Sequence, residues 1–151
     1  MHQKKAMTKL YGIIGNPVTH SFSPDYFNEK FNKLELDCLY ERFTLNEISE
    51  LSVLLDKKPN LVGFNVTSPF KEAIIPYLTN VSSEVGSIGA VNTVVRNGDV
   101  LLGFNTDVVG FDKTIASLGI GRKGCLVLGT GGASKAVIHV LNERHMPYVQ
   151  V

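Results

Sequence analysis

A surplus of charge is the first thing this chain lacks: 15 lysines and arginines stand against 14 aspartates and glutamates over 151 residues, a formal net charge of +1. No long run of either sign breaks that balance, so the composition points away from nucleic acid and from a membrane surface, and toward small-molecule partners. Cysteine is scarce as well. Cys38 and Cys125 lie far apart in apolar surroundings with no paired spacing, which argues against a disulfide or a metal site and for buried thiols in a reducing compartment. His20 has no second histidine at a useful spacing and reads as a loop residue. No apolar run approaches the length of about 20 residues that a membrane span needs. The leader Met1–Lys9 carries charge but no apolar h-region, so the cytoplasm is the expected location. Internal repeats and low-complexity segments are missing too. What is present is 44% hydrophobic residues, enough for a real core in one domain of average size or two small ones.

The stretch Gly63-Phe64-Asn65-Val66-Thr67-Ser68-Pro69-Phe70-Lys71 organises the first hundred residues. An apolar run from Leu61 to Val66 meets Thr67 and Ser68, then Pro69, then helical spacing at Phe70, Ala73 and Ile74. That order predicts a strand end, an N-cap and a proline in the first helical turn. Lys71 therefore sits where a strand hands over to a helix, the edge of an open sheet at which ligands lie. It could equally be a solvated first-turn lysine. Upstream, Leu10–Ile14 reads as a strand ended by Gly15-Asn16-Pro17, and Ser23-Pro24 opens a helix with Tyr26, Phe27 and Phe31 on its apolar face. Ser21 and Ser23 share that strand-to-helix loop beside backbone N–H groups that favour an anion, and could hold a carboxylate. The plainer alternative makes Ser23 an N-cap and Ser21 a loop serine. Leu39–Leu45 alternates as a second strand, and Asn46 is expected to cap a helix from about Glu47 to Leu55, with Ile48, Leu51, Leu54 and Leu55 inward. Strand, helix, strand, helix, strand at this spacing implies a parallel three-layer α/β arrangement.

Beyond a short helical segment at Ser82–Ser87, two β-rich runs flank Asn97-Gly98, a strong hairpin signal. A hairpin brings its outer ends together, so Asn92 and Asn105-Thr106-Asp107 share one rim. Asp107 starts a helix with apolar positions Val109, Phe111, Ile115 and Leu118, ended by Gly119. Thr106 or Asp107 could simply cap it. At Arg122-Lys123 the character changes: Gly124–Leu128 is a buried strand, Gly129-Thr130-Gly131-Gly132-Ala133-Ser134 a glycine turn, Lys135–Glu143 an amphipathic helix and Tyr148–Val151 another strand. This is the beginning of a dinucleotide-binding βαβ unit, in which glycines let backbone approach a pyrophosphate. Ser134 replaces the third glycine of the usual pattern. The acidic or basic residue that would discriminate the cofactor is expected at or just beyond Val151.

Taken together, H-S-F-S-P (20–24), N-V-T-S-P-F-K (65–71), G-A-V-N-T (89–93), G-F-N-T-D-V-V-G (103–110) and G-T-G-G-A-S-K-A (129–136) closely resemble the shikimate dehydrogenase family. The resemblance implies an open α/β substrate domain over 1–106, a linking helix over 107–121, and over 122–151 the start of a Rossmann-type domain that binds NADP. It implies reversible reduction of 3-dehydroshikimate to shikimate by NADPH, on the route to aromatic amino acids. Ser21 and Ser23 would bind the substrate carboxylate, while Thr67, Lys71, Asn92 and Asp107 would hold the ring hydroxyls and the reacting oxygen. Gly129, Thr130, Gly131, Gly132, Ala133 and Ser134 would meet the cofactor, with Gly129, Gly131 and Gly132 facing its pyrophosphate. Hydride reduction of a ketone leaves negative charge on oxygen, which Lys71 suits as a cationic donor oriented by Asp107. No metal is required, and a homodimer is one possible assembly. Members of the family are much longer, so the chain is expected to be an N-terminal fragment without turnover of its own. The alternatives are a quinate-oxidising variant and a substrate-binding module without chemistry.

Overall fold

The computed structural model describes residues 7–121 and 123–151. Most of the leader Met1–Lys9 and Arg122, where the second unit was expected to begin, lie outside the described residues. The chain runs β1 (Lys9–Gly15), α1 (Ser23–Lys33), β2 (Cys38–Thr44), α2 (Leu51–Lys57), β3 (Leu61–Val66), α3 (Phe70–Ala73), β4 (Asn80–Val81), α4 (Ser83–Ile88), β5 (Thr93–Asn97), β6 (Val100–Phe104), α5 (Asp107–Leu118), β7 (Cys125–Val127), α6 (Gly132–Glu143) and β8 (Tyr148–Gln150). Single 3-10 turns occupy Ile48–Glu50 and Ile75–Tyr77.

Six strands form one sheet in the order β2-β1-β3-β5-β6-β4, and β7 and β8 form a second, parallel pair. The parallel arrangement expected for the first three strands holds, and the expected hairpin makes the sheet as a whole mixed. β1 pairs in parallel with β2 and β3, but β5 runs antiparallel to both β3 and β6. The hairpin, with its short turn, forces the reversal between β5 and β6 where a helical crossover would have kept direction. Its register pairs Asn97 with Val100, so the turn is Gly98-Asp99, one residue later than Asn97-Gly98, with Gly98 supplying the positive φ of 61°.

Alternation along the strands sorts side chains to two faces. Leu10, Ile14, Phe43, Leu61, Phe64, Val66 and Val94 point to one face and pack with Leu51, Phe70, Ile74 and Val85 from the helices covering it. Tyr11, Ile13 and Tyr40 point to the other, under Phe27 and Phe31 of α1. Tyr26, expected on that apolar face, is instead exposed, as are Val109 and Leu118 of α5. Both cysteines are half-buried free thiols rather than buried ones. Asn46 does not cap: its backbone N–H donates to the Glu50 carboxylate, and a 3-10 turn precedes α2, which starts at Leu51. α6 starts at Gly132, three residues before the expected Lys135.

Candidate active site

Lys71 stands on α3, which starts one residue later than expected, with Pro69 as its N-cap residue. Its main-chain carbonyl accepts from the Val91 N–H at 2.7 Å, tying this turn to the segment ahead of β5. The Lys71 ammonium donates to Asp107 Oδ2 at 2.7 Å, and Asn92 Nδ2 donates to Asp107 Oδ1 at 2.7 Å. Both carboxylate oxygens are therefore engaged by residues from two other segments. The Lys71 side chain is 16% exposed and that of Asp107 37%, so the pair is shielded yet open on one side. The hairpin rim predicted to collect Asn92, Thr106 and Asp107 does so. Thr106 occupies the N-cap of α5 but makes no side-chain cap. Its backbone N–H and hydroxyl both go to Asn92 Oδ1, at 2.9 and 3.1 Å, so the simple capping role does not hold.

The other predicted residues lie at the same edge of the sheet. Thr67 follows β3, its N–H bonded to the Ile14 carbonyl at 2.9 Å, and its methyl group fills the space that a side chain at Gly15 would need. Ser23 is the first residue of α1, with Phe22 as N-cap, so Ser23 is not the cap it might have been. Ser21 Oγ accepts from the Ser23 N–H at 3.3 Å, and Arg42 braces the loop through the Ser21 carbonyl at 2.6 Å. His20 is exposed on this loop.

A second set of polar residues connects these groups, and of that set the sequence places only Asn105 on the rim. Tyr40 donates to Asn65 Oδ1 at 2.6 Å, and Asn65 Nδ2 donates to Thr93 Oγ1 at 3.2 Å. Asn105, 2% exposed, donates to the Ala90 carbonyl and accepts from the Asp107 N–H, fixing the backbone that carries the carboxylate. Burial pushes the Tyr40 phenol up to about 12, partly offset by the Ser23 hydroxyl beside it. A groove of about 730 Å³ opens along this face, lined at one end by Tyr40, Asn65, Thr93 and Thr106. Asn65 could have been found by its place in a strand core, where an unpaired amide would be costly.

The glycine turn lies across from Lys71. Gly129 holds a φ of 109°, and nothing stands within 4 Å of where a Cβ would sit at Gly129 or Gly131. Gly131 precedes the 12-residue α6, with Thr130, Ala133 and Ser134 around that helix start. An open backbone at the N-terminus of a long helix fits a pyrophosphate. Gly132 differs: a Cβ there would lie 2.9 Å from Lys71 Cβ and 3.2 Å from Ala90 Cβ, so this glycine has a packing reason. Among the described residues no group of three or more His, Cys, Asp or Glu could hold a metal, and no helix is long and apolar enough to cross a membrane.

A family described as Shikimate dehydrogenase substrate binding domain matches residues 13–94. The chain belongs to that family. Among curated relatives, the shikimate dehydrogenase (NADP(+)) of Caldanaerobacter subterraneus is 46% identical over 138 residues, covering 89% of this chain and 49% of the relative. That of Bacillus cereus strain AH187 is 43% identical over 141 residues, covering 91% and 51%. The crystal structure of shikimate dehydrogenase from Aquifex aeolicus superposes with a TM-score of 0.84 at 41% identity, covering 98% of this chain and 56% of that one. The Thermus thermophilus shikimate 5-dehydrogenase, solved with NADP(H) and shikimate, gives a TM-score of 0.81 at 36% identity, covering 94% and 55%. The chain thus spans about half the length of the shikimate dehydrogenases it matches.

Proposed function

We propose that this chain supplies the substrate-binding half and the first nucleotide-binding turn of an NADP-dependent shikimate dehydrogenase, with residues 1–106 as substrate domain, 107–121 as linking helix and 122–151 as the start of the cofactor domain. The observation that carries the reading is the Lys71–Asp107–Asn92 cluster at one rim, where a cation, an anion and an amide converge at 2.7 Å each. Bound NADPH would supply the hydride. Lys71 Nζ holds the proton that the reduced oxygen needs, and its charge lowers the cost of the negative oxygen as it forms. One of its three N–H bonds is committed to Asp107, which leaves two for a ligand. Asp107 and Asn92, bonded to each other, present their remaining polar capacity to ring hydroxyls. Ser21 and Ser23, at the start of α1, take the carboxylate. Gly129, Thr130, Gly131, Ala133 and Ser134 would meet the pyrophosphate from the N-terminus of α6. The expected setting is cytoplasmic synthesis of chorismate precursors.

Calorimetric titration of the 151-residue chain with shikimate tests this, with one site per chain expected. Lys71→Met should weaken binding roughly 10–100-fold, the worth of a hydrogen bond to a charged group. Unchanged affinity in that variant would remove Lys71 from the site. Titration with NADP in parallel reads the glycine turn separately.

A further inference from the structure

Side-chain amides can be read in either orientation, but a backbone partner settles the matter because it can only donate or only accept. Asn92 faces the Thr106 backbone N–H at 2.9 Å, so the atom there is its oxygen, and its NH2 group is the one on Asp107. Asn65 faces the Asn92 backbone carbonyl at 3.3 Å, so the atom there is its nitrogen, and its oxygen is the one on Tyr40. The Tyr40 phenol must then donate. Between the two amides Thr93 Oγ1 accepts from Asn65 at 3.2 Å and donates to Asn92 Oδ1 at 2.9 Å. Every bond points the same way, from Tyr40 through Asn65, Thr93 and Asn92 to Asp107, whose far oxygen receives Lys71.

We propose that Tyr40 and Thr93 are positioning residues of the substrate site, completing a one-directional hydrogen-bond chain that holds the Asp107 carboxylate, and through it the Lys71 ammonium, in a single orientation. The inference rests on the shikimate reading of this rim and extends it to two residues that touch no reacting atom. Geometry makes Tyr40 a firm anchor. Its ring stacks on Phe27 at 4.9 Å and 11°, and Asn28 clamps its backbone on both sides, accepting from its N–H at 2.8 Å and donating to its carbonyl at 3.0 Å. Asn65 and Thr93 are cross-strand partners on β3 and β5, so the sheet register itself sets their separation. The anchor stands beside Ser23. The chain therefore ties the end of the site that takes a carboxylate to the end that carries the ammonium.

The test uses the 151-residue chain, reading the side-chain NH2 resonances of Asn65 and Asn92 by nitrogen–proton NMR together with shikimate titration. Tyr40→Phe and Thr93→Val each remove one hydroxyl with little change of shape. Each should weaken shikimate binding about 2–10-fold, as for one lost hydrogen bond, and each should move the Asn92 NH2 signals. In Tyr40→Phe the disturbed group lies three links along the chain from the substitution. Thr93→Ser keeps the hydroxyl and should restore both readouts. If Thr93→Ser binds as weakly as Thr93→Val, the methyl group and not the hydroxyl matters, and the proposal falls. It falls too if affinity drops while the Asn92 signals stay in place. Should the unsubstituted chain bind no shikimate, the substrate reading is wrong; the amide signals of the free protein then decide, movement in Tyr40→Phe supporting the chain and stillness overturning it. If Tyr40→Phe does not fold, the Thr93 pair decides in the same way.

Discussion

In the six-stranded sheet and the helices packed on it, Ile14, Leu51, Leu61, Val66 and Ile74 are almost without solvent contact, whereas in the β7–α6–β8 segment Leu126, Leu128, Val149 and Val151 are 63–74% exposed. The strands of both regions are rich in apolar residues. The difference lies in what covers them: helices pack on both faces of the large sheet, while Cys125, Val127 and Tyr148 of the small one meet Phe111, Ile115, Val137 and Leu141 on one face. The β7–α6–β8 segment draws further cohesion from α4 and the loop ahead of β5, through Ala136 against Ile88 and Ala90. An amphipathic pattern thus makes a strand possible, but burial on its faces determines how firmly it is held.

The largest expected effect follows from that contrast. Ile74→Ala empties a fully buried position and should cost about 2–5 kcal/mol. Leu126→Lys adds a charge to a side chain that is 63% exposed and should change stability by no more than about 0.5 kcal/mol. Urea unfolding of the two variants measures this, and equal shifts would break the comparison. Next in size is Gly132→Ala, which places a methyl group 2.9 Å from Lys71 Cβ, an atom that cannot swing aside. Overpacking of this kind costs about 1–3 kcal/mol, and shikimate affinity should fall with it because Lys71 must move. Gly131→Ala, with open space at its Cβ, is the control, expected within about 0.5 kcal/mol.

How much of this was legible beforehand differed between the same two regions. Apolar patterning and turn signals located every strand except the two-residue β4, and the rim that gathers Asn92 and Asp107, because a hairpin must bring its ends together. The parallel run of β1, β2 and β3 and the reversal at the hairpin were legible, but the direction of β5 against β3 was not. The succession of strands and helices before Lys71 is the same whether β5 enters parallel or antiparallel, and only the pairing of Gly63 with Val95 decides it. Tyr40, Asn65 and Thr93 escaped because each looks like an ordinary strand residue, and their meeting depends on the register of separate strands. The approach of Gly132 to Lys71 escaped because it is a long-range contact that no local pattern records.

A smaller, pH-dependent effect probes the buried end of the site. Tyr40 ionises near 12 in the folded protein against an ordinary value of about 10. A raised value means that the unfolded chain loses this proton first, so the contribution to stability is fully present below about pH 10 and is lost as pH rises from there toward 12. Ultraviolet titration should show a tyrosine component that resists ionisation until that range. In Tyr40→Phe the late component should be missing, and if it persists another phenol is responsible.

The smallest effect is expected where the two regions meet through charge. Lys135 of α6 donates to the Glu72 carboxylate on α3, next to Lys71, and the side chains are 36% and 47% exposed. A pair so open to water is screened by solvent and salt and carries about 0.2–1 kcal/mol. The same regions also meet through Gly132 on Lys71 and Ala136 on Ala90, contacts that salt does not weaken. If packing holds α6 against the substrate side, Glu72→Gln should lower stability by less than about 1 kcal/mol, the loss should fade at high salt, and shikimate binding should stay the same. A loss larger than that of Gly132→Ala would mean that the ion pair, and not the glycine contact, keeps the glycine turn facing Lys71.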